Sequence, residues 1–229
     1  MKPGDFVLDI LRETPENRRT IVLIRHSKRD SFEGIPDHLR EGVEITPEGI
    51  HMAREFGESL GEILPEKPLV LGHTVAHRCR MTAEFIRDGF PSAVPARILG
   101  CEPEIKSPVV DQERYIAMRD EVGWREVIRK WLDQEIPKDT FYNPHRYSDY
   151  VLRNLFSCTG AGEKDLFVVI AHDITIFPII LQVFGVTVQP IEFLNGIVIS
   201  ADTGTAEFQF ADAEMSLKAE RKIPYVKEK

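Results

Sequence analysis

The chain has 229 residues, of which 42% are hydrophobic, and a formal net charge of −8. That length suffices for one sizeable core, so we expect a single domain over residues 1–229. The acidic balance argues against nucleic-acid binding, and the lack of a long apolar run argues against a membrane partner. The first 20 residues have no signal-peptide core, and three widely spaced cysteines favour a reducing cytoplasm over a disulfide framework.

Apolar periodicity and turn residues predict alternating strands and helices. In chain order, the prediction is a strand at 21–24, a polar loop at 30–44, a helix from Pro47 whose apolar positions continue to Leu64, a strand at 69–71, a helix at 75–88, a short strand near Ile105, helices at 115–136 and 147–156, a strand at 166–171, a helix at 175–184, and strands at 197–199 and 207–210. Gly123 is a weak point in the long middle helix, and the Lys-rich tail after Glu220 is expected to be exposed.

This alternation predicts an α/β fold: a three-layer sandwich with a largely parallel central sheet flanked by helices. The last two strands surround Gly204 and are expected to form an antiparallel edge. Residues 89–154 are predicted to be a cap-like insertion over a pocket.

Three short segments rich in arginine and histidine each follow a predicted strand. They are Arg25-His26-Ser27-Lys28-Arg29, residues 73–83, and His172-Asp173. Because the carboxyl ends of parallel strands share one edge of a sheet, these segments are expected to converge. Arginine forks match phosphate oxygens, and a neutral imidazole can attack phosphorus. The pattern therefore predicts phosphoryl transfer through a phosphohistidine.

These motifs resemble those of the histidine phosphatase superfamily, whose fold is phosphoglycerate-mutase-like. Arg25-His26-Ser27 matches its Arg-His-Gly hallmark except at Ser27, and Arg29 matches the Arg-His-Gly-x-Arg form of the histidine acid phosphatases. Ile45-Thr46-Pro47-Glu48-Gly49 is similar to Leu-Thr-x-x-Gly, Arg78 to Ala83 to Arg-x-x-x-Thr-Ala, and His172-Asp173 to the His-Asp pair of the acid phosphatases.

The resemblance implies a role for each matching residue. His26 would take the phosphoryl group, and Asp173 would protonate the leaving alkoxide and then deprotonate water. Arg25, Arg29, Arg78 and His172 would bind the phosphate oxygens. No metal and no cofactor are implied, and the substrate would be a small-molecule phosphate ester or a phosphoprotein.

Alternative interpretations remain for several of these positions. Asp173 could cap the following helix, and Glu113 is a rival acid of the kind used by phosphoglycerate mutases. A phosphomutase using Glu113 and a non-catalytic phospho-ligand binding module are therefore alternative functions. His73 and His77 have a spacing that can bind zinc, but no third ligand is evident. Ser27 is either strained or a phosphate contact, depending on its backbone conformation.

Overall fold

The computed structural model describes residues 2–91, 93–187, 190–202 and 204–223. Its helices and strands, in chain order, are α1 (Asp5–Glu13), β1 (Arg19–Arg25), a 3₁₀ helix (Asp37–Gly42), α2 (Pro47–Ile63), β2 (Leu69–His73), α3 (His77–Gly89), β3 (Ala96–Ile98), α4 (Gln112–Val122), α5 (Trp124–Leu132), α6 (Pro144–Ser157), β4 (Leu166–Ala171), α7 (Asp173–Phe184), β5 (Gly196–Asp202), β6 (Thr205–Ala211) and β7 (Ser216–Lys222).

The strands form one seven-stranded sheet in the order β3-β2-β4-β1-β5-β6-β7. The first four run parallel, and β5, β6 and β7 are added as an antiparallel meander. The register pairs Arg25 with Ala171 and His73 with Ile170, so β1, β2 and β4 end at the same level. The three segments singled out in the sequence therefore leave the sheet at one edge.

Helices cover both faces of the sheet, which confirms the predicted three-layer sandwich. In β1, Val22 and Ile24 pack into a cluster with α1, α2 and α3. Ile21 and Leu23 face the opposite side, where they join a second cluster with α5, α6 and α7. Alternate side chains of a strand point to opposite faces, and both faces of β1 are apolar because both are covered.

The structure differs from the sequence prediction at three elements. Helix α1 is absent from the prediction, although its four buried residues, Val7, Leu8, Ile10 and Leu11, have helical spacing. The short third strand is Ala96–Ile98, so the prediction of a strand near Ile105 is wrong. Strand β7 was also missed: it is an edge strand in which only Leu217 and Ala219 alternate with exposed polar and charged residues, so its apolar pattern is short.

Gly123 divides the predicted helix over 115–136 into α4 and α5. Its φ of 83° lies in the region that glycine adopts without strain. Helix α5 buries Val127, Ile128, Trp131 and Leu132, whereas α4 has no buried residue. None of the described helices is long and apolar enough to cross a membrane.

Candidate active site

The ends of β1, β2 and β4 bring His26, Arg78 and His172 into one cluster. His26 follows β1, Arg78 lies in the first turn of α3, and His172 lies between β4 and α7. Backbone hydrogen bonds lock the strand ends together: His26 N–H donates to the Ala171 carbonyl and Thr74 N–H to the Ile170 carbonyl, both at 3.0 Å. The convergence predicted from the parallel strand order is therefore present.

His26 is buried, with 3% of its surface exposed, and its two ring nitrogens have different partners. Nε2 accepts a hydrogen bond from Arg78 Nε at 3.2 Å, so the proton resides on Nδ1, which donates to the Ser27 carbonyl at 2.7 Å. Burial, followed by the proximity of His172 and Arg78, lowers the pKa of His26 well below its usual value. The ring is therefore neutral at pH 7, with its Nε2 lone pair directed at the guanidinium.

Arg78 uses its guanidinium to connect three parts of the site. Beyond His26, its Nη2 lies 3.4 Å from His172 Nδ1, and its Nη1 donates to the Arg40 carbonyl at 2.9 Å. His172 Nε2 lies 3.3 Å from Thr74 Oγ1. Burial, together with Arg78 and Arg25, lowers the pKa of His172 to about 3. His172 therefore contributes hydrogen bonds rather than positive charge.

Asp173, the first residue of α7, faces the guanidinium of Arg25, with 3.7 Å between Oδ2 and Nη2. Its Oδ1 accepts the N–H of Ile174 at 2.9 Å. The N-cap of α7 is His172 and no side-chain capping bond is present there, so the interpretation of Asp173 as the helix cap is wrong. Arg25 Nη1 donates to the Ile191 carbonyl, and the guanidinium lies over the ring of Phe193, with 4.4 Å between Cζ and the ring centroid.

Arg29 completes the positive side of the cluster. Burial, with Arg78 and Arg25 nearby, lowers its pKa to about 10. Its guanidinium stacks on Phe32, with 3.4 Å between Cζ and the ring centroid. All six residues that the sequence predicted for the site therefore lie within one electrostatically coupled group: Arg25, His26, Arg29, Arg78, His172 and Asp173.

Three neighbours of the cluster were missed in the sequence: Phe32, Arg40 and Phe193. Arg40 Cζ lies 5.3 Å from the Phe32 ring, and the Phe193 ring lies 5.8 Å from His26. The sequence predicts residues 30–44 only as a polar loop and assigns Phe193 to no element or motif. No periodicity marks these residues, because their neighbours come from distant parts of the chain.

The residues around His26 also explain two of the sequence motifs. The Ser27 hydroxyl donates to the Gly49 carbonyl at 2.7 Å, and the Ser27 N–H donates to Thr82 Oγ1 at 3.0 Å. Thr82 in turn donates to the Arg78 carbonyl. Ser27 has no positive φ, so it is unstrained, and its hydroxyl supports the loop.

Other residues considered in the sequence lie elsewhere. Glu113 is exposed in the first turn of α4. His73 is buried, with Nδ1 2.9 Å from the Thr74 carbonyl, whereas His77 contacts Arg80 on the exposed side of α3. Within the described ranges, no group of three or more His, Cys, Asp or Glu side chains has an arrangement that could hold a metal ion.

Helix α4 contacts the 3₁₀ helix beside the site through a charge pair. Arg119 makes two hydrogen bonds to the carboxylate of Asp37, which also pairs with Arg40 at 2.8 Å. These bonds lower the pKa of Asp37 and raise that of Arg119. Burial raises the pKa of the neighbouring Tyr115, whose ring centroid lies 5.9 Å from Arg119 Cζ.

Comparison with known proteins found similarity at the level of structure. No protein-family model and no curated protein sequence matches the chain. It is similar to YhfR of Bacillus stearothermophilus, with a TM-score of 0.56 and 14% identity over 80% of this chain and 91% of that one. It is also similar to a mycobacterial glucosyl-3-phosphoglycerate phosphatase complexed with VO3, with a TM-score of 0.53 and 17% identity over 88% and 97% of the two chains.

A third structure, mycobacterial hydrolase 1, matches with a TM-score of 0.54 and 15% identity, over 87% of this chain and 99% of the other. At these identities the similarity establishes the fold alone, an α/β fold that the chain shares with these three structures. The similarity agrees with the phosphoglycerate-mutase-like fold that the sequence motifs predicted.

Proposed function

We propose that this protein is a phosphatase that hydrolyses a phosphate monoester through a covalent phosphohistidine on His26. The observation that carries the proposal is the state of His26: a buried, neutral imidazole with Nδ1–H bonded to a carbonyl and Nε2 facing guanidinium groups. A neutral nucleophile avoids repulsion from the phosphate dianion. The surrounding arginines provide the electrostatic stabilisation on which phosphoryl transfer depends.

In the first step, Nε2 attacks phosphorus as the phosphorus–oxygen bond to the leaving group breaks. Arg25, Arg29, Arg78 and His172 bind the non-bridging oxygens, and Asp173 delivers a proton to the departing alkoxide. In the second step, water attacks the phosphohistidine and gives a proton back to Asp173. The phosphorus–nitrogen bond breaks, inorganic phosphate leaves, and His26 and Asp173 regain their starting protonation states.

The insertion over residues 89–154 is proposed to cap this pocket. The Arg119–Asp37 pair joins α4 to the 3₁₀ helix beside the site, and the Tyr115 ring centroid lies 5.9 Å from Arg119 Cζ. In this proposal, the loop carrying Phe32 and Arg40 and the facing α4 select the leaving group. Two of the fold relatives are described as phosphatases or hydrolases, which agrees with the proposed reaction class.

The test is hydrolysis of p-nitrophenyl phosphate between pH 4 and 8, with a chelator present. We expect turnover by the wild type that is lost, by at least about a thousandfold, in His26→Ala, because the covalent route is removed. His51→Ala is the matched control, since His51 lies on the exposed side of α2 beside Glu55. Equal activity in His26→Ala and wild type, or a silent wild type at every pH, would contradict the proposal.

A further inference from the structure

Phe32 is surrounded by three guanidinium groups. The Cζ atoms lie 3.4 Å from the ring centroid for Arg29, 5.3 Å for Arg40 and 5.3 Å for Arg78. The three arginines come from the loop after β1, the 3₁₀ helix and α3, so no single element orders them. The ring is their common contact.

Holding these charges together is unfavourable without compensation. Burial, followed by the charges of Arg78 and Arg25, lowers the pKa of Arg29, and burial also lowers the pKa of Arg78. Arg40 has Asp37 as a counter-charge. Arg29, in contrast, has no carboxylate within ion-pair distance among the described residues, and its Nε is buried without a hydrogen-bond partner there.

The face of an aromatic ring carries partial negative charge and attracts cations stacked on it. Phe32 therefore offers Arg29 an electrostatic partner that does not compete for the phosphate. A carboxylate in the same place would also attract the guanidinium, but it would repel the phosphate dianion. The ring attracts the guanidinium without repelling the phosphate.

We propose that Phe32 is a positioning residue of the phosphate pocket, whose π face keeps Arg29 directed into the site beside Arg78 and Arg40. This inference rests on the proposed function only in taking phosphate as the ligand. It assigns to a loop residue outside every sequence motif a part in anion affinity. In this proposal the anion affinity depends on the aromatic ring of Phe32 and not only on the size of its side chain.

The test compares Phe32→Leu, which keeps an apolar side chain without a π face, with Phe32→Tyr, which keeps the face. Binding of inorganic phosphate is measured by calorimetry, together with KM and kcat for p-nitrophenyl phosphate. We expect Phe32→Leu to weaken phosphate binding and raise KM about 3–10-fold, with a smaller change in kcat, as loss of a cation–π contact implies. Phe32→Tyr should stay within about twofold of wild type.

The matched control is Phe85→Leu. Phe85 on α3 is partly buried and stacks with Arg54 on α2, with 4.9 Å between Cζ and the ring centroid, away from the cluster. It should lower thermal stability without changing phosphate affinity. Unchanged phosphate binding in Phe32→Leu, or equal weakening in Phe32→Leu and Phe32→Tyr, would overturn the proposal.

Repeating the calorimetry on His26→Ala separates this inference from the catalytic proposal. Phosphate binding needs no turnover, so the Phe32 effect should persist in that background even if the protein proved not to be a phosphatase. Loss of the effect in the His26→Ala background would also contradict the positioning role.

Discussion

The two carboxylate oxygens of Asp173 have different neighbours, and both bear on its proposed role as an acid. Its Oδ1 accepts a helix N–H, and its Oδ2 faces Arg25 across 3.7 Å. Glu113, the alternative acid, is exposed on α4. The position of Asp173 beside His172, and so within the cluster that holds His26, favours it as the proton donor.

We therefore expect Asp173→Asn to separate substrates by their leaving group. An alkyl phosphate such as β-glycerol phosphate needs a proton on the departing oxygen, so its hydrolysis should fall about 10²–10⁴-fold. p-Nitrophenolate needs little protonation, so rapid mixing should still show a burst of one equivalent before slow turnover. In this variant the phosphohistidine persists because water lacks a base.

Glu113→Gln is the control for this experiment and should behave like the wild type on both substrates. If Glu113→Gln loses alkyl phosphate hydrolysis and Asp173→Asn does not, the acid has been assigned to the wrong residue. Loss of the burst in Asp173→Asn would point to a role in binding instead of proton transfer.

At the scale of elements, the first turn of α2 acts as a support for the loop that carries His26. Thr46 Oγ1 caps the helix by accepting the Gly49 N–H at 3.0 Å, as its sequence predicts. The Gly49 carbonyl accepts the Ser27 hydroxyl, and Thr46 N–H donates to the Lys28 carbonyl. A Cβ on Gly49 would lie 2.2 Å from the carbonyl oxygen of Lys28, so the backbones of the helix and the loop are in direct contact.

Gly49→Ala should consequently disturb both stability and the site. We expect the free energy of unfolding to fall by about 1–3 kcal/mol, the usual cost of inserting a methyl group into a filled space. Turnover should fall as well, because the added methyl group displaces the backbone next to His26. Chemical denaturation and steady-state kinetics measure the two effects.

Gly42→Ala provides the comparison, since a Cβ there meets no atom within 4 Å and the backbone has no positive φ. It should change neither quantity appreciably. If Gly49→Ala had the same free energy of unfolding as Gly42→Ala, the close backbone contact between α2 and the loop would not contribute to stability.

At the scale of the whole molecule, the sandwich buries two histidines beside a group of arginines. Burial and nearby positive charge both disfavour protonation, so the pKa values of His26 and His172 are lowered. In the unfolded chain a histidine has a pKa of about 6.5. Below that pH the unfolded state binds more protons than the folded state, which shifts the equilibrium toward unfolding.

Stability should therefore decline as the pH falls from about 6.5 toward 3, the value to which the pKa of His172 is lowered. His172 alone should account for about 2 kcal/mol between pH 7 and pH 5, approaching about 1.4 kcal/mol per pH unit. Urea unfolding across this range measures the slope.

His172→Asn should make that slope shallower, whereas His145→Asn should leave it unchanged, because His145 is exposed on α6. A wild-type stability that is constant or rising from pH 6.5 down to pH 5 would contradict the lowered pKa values. The lowered pKa of His172 would also be contradicted if His145→Asn changed the slope as much as His172→Asn.

Much of the architecture could be predicted because its signals are local. The apolar runs of β1, β2 and β4 and the Thr46-Pro47 start of α2 depend on residues a few positions apart. Helix α1 has such a signal in its four buried residues, but the prediction overlooked it. Strand β7 has only a weak signal, and its backbone pairing to β6 at the edge of the sheet determines it. Tertiary contacts that determine an element leave little periodicity in it.

The sequence by itself determined which chemical groups stand at the strand ends, and hence that a nucleophilic histidine, several arginines and an acid would share one edge. Only the tertiary structure decided the protonation state of His26 and which aromatic rings the arginines contact. Those properties depend on burial and on distances between segments far apart in the chain, such as Phe32 and Arg78 or Arg25 and Phe193. Residue order specifies the groups, but the packing sets their electrostatic environment.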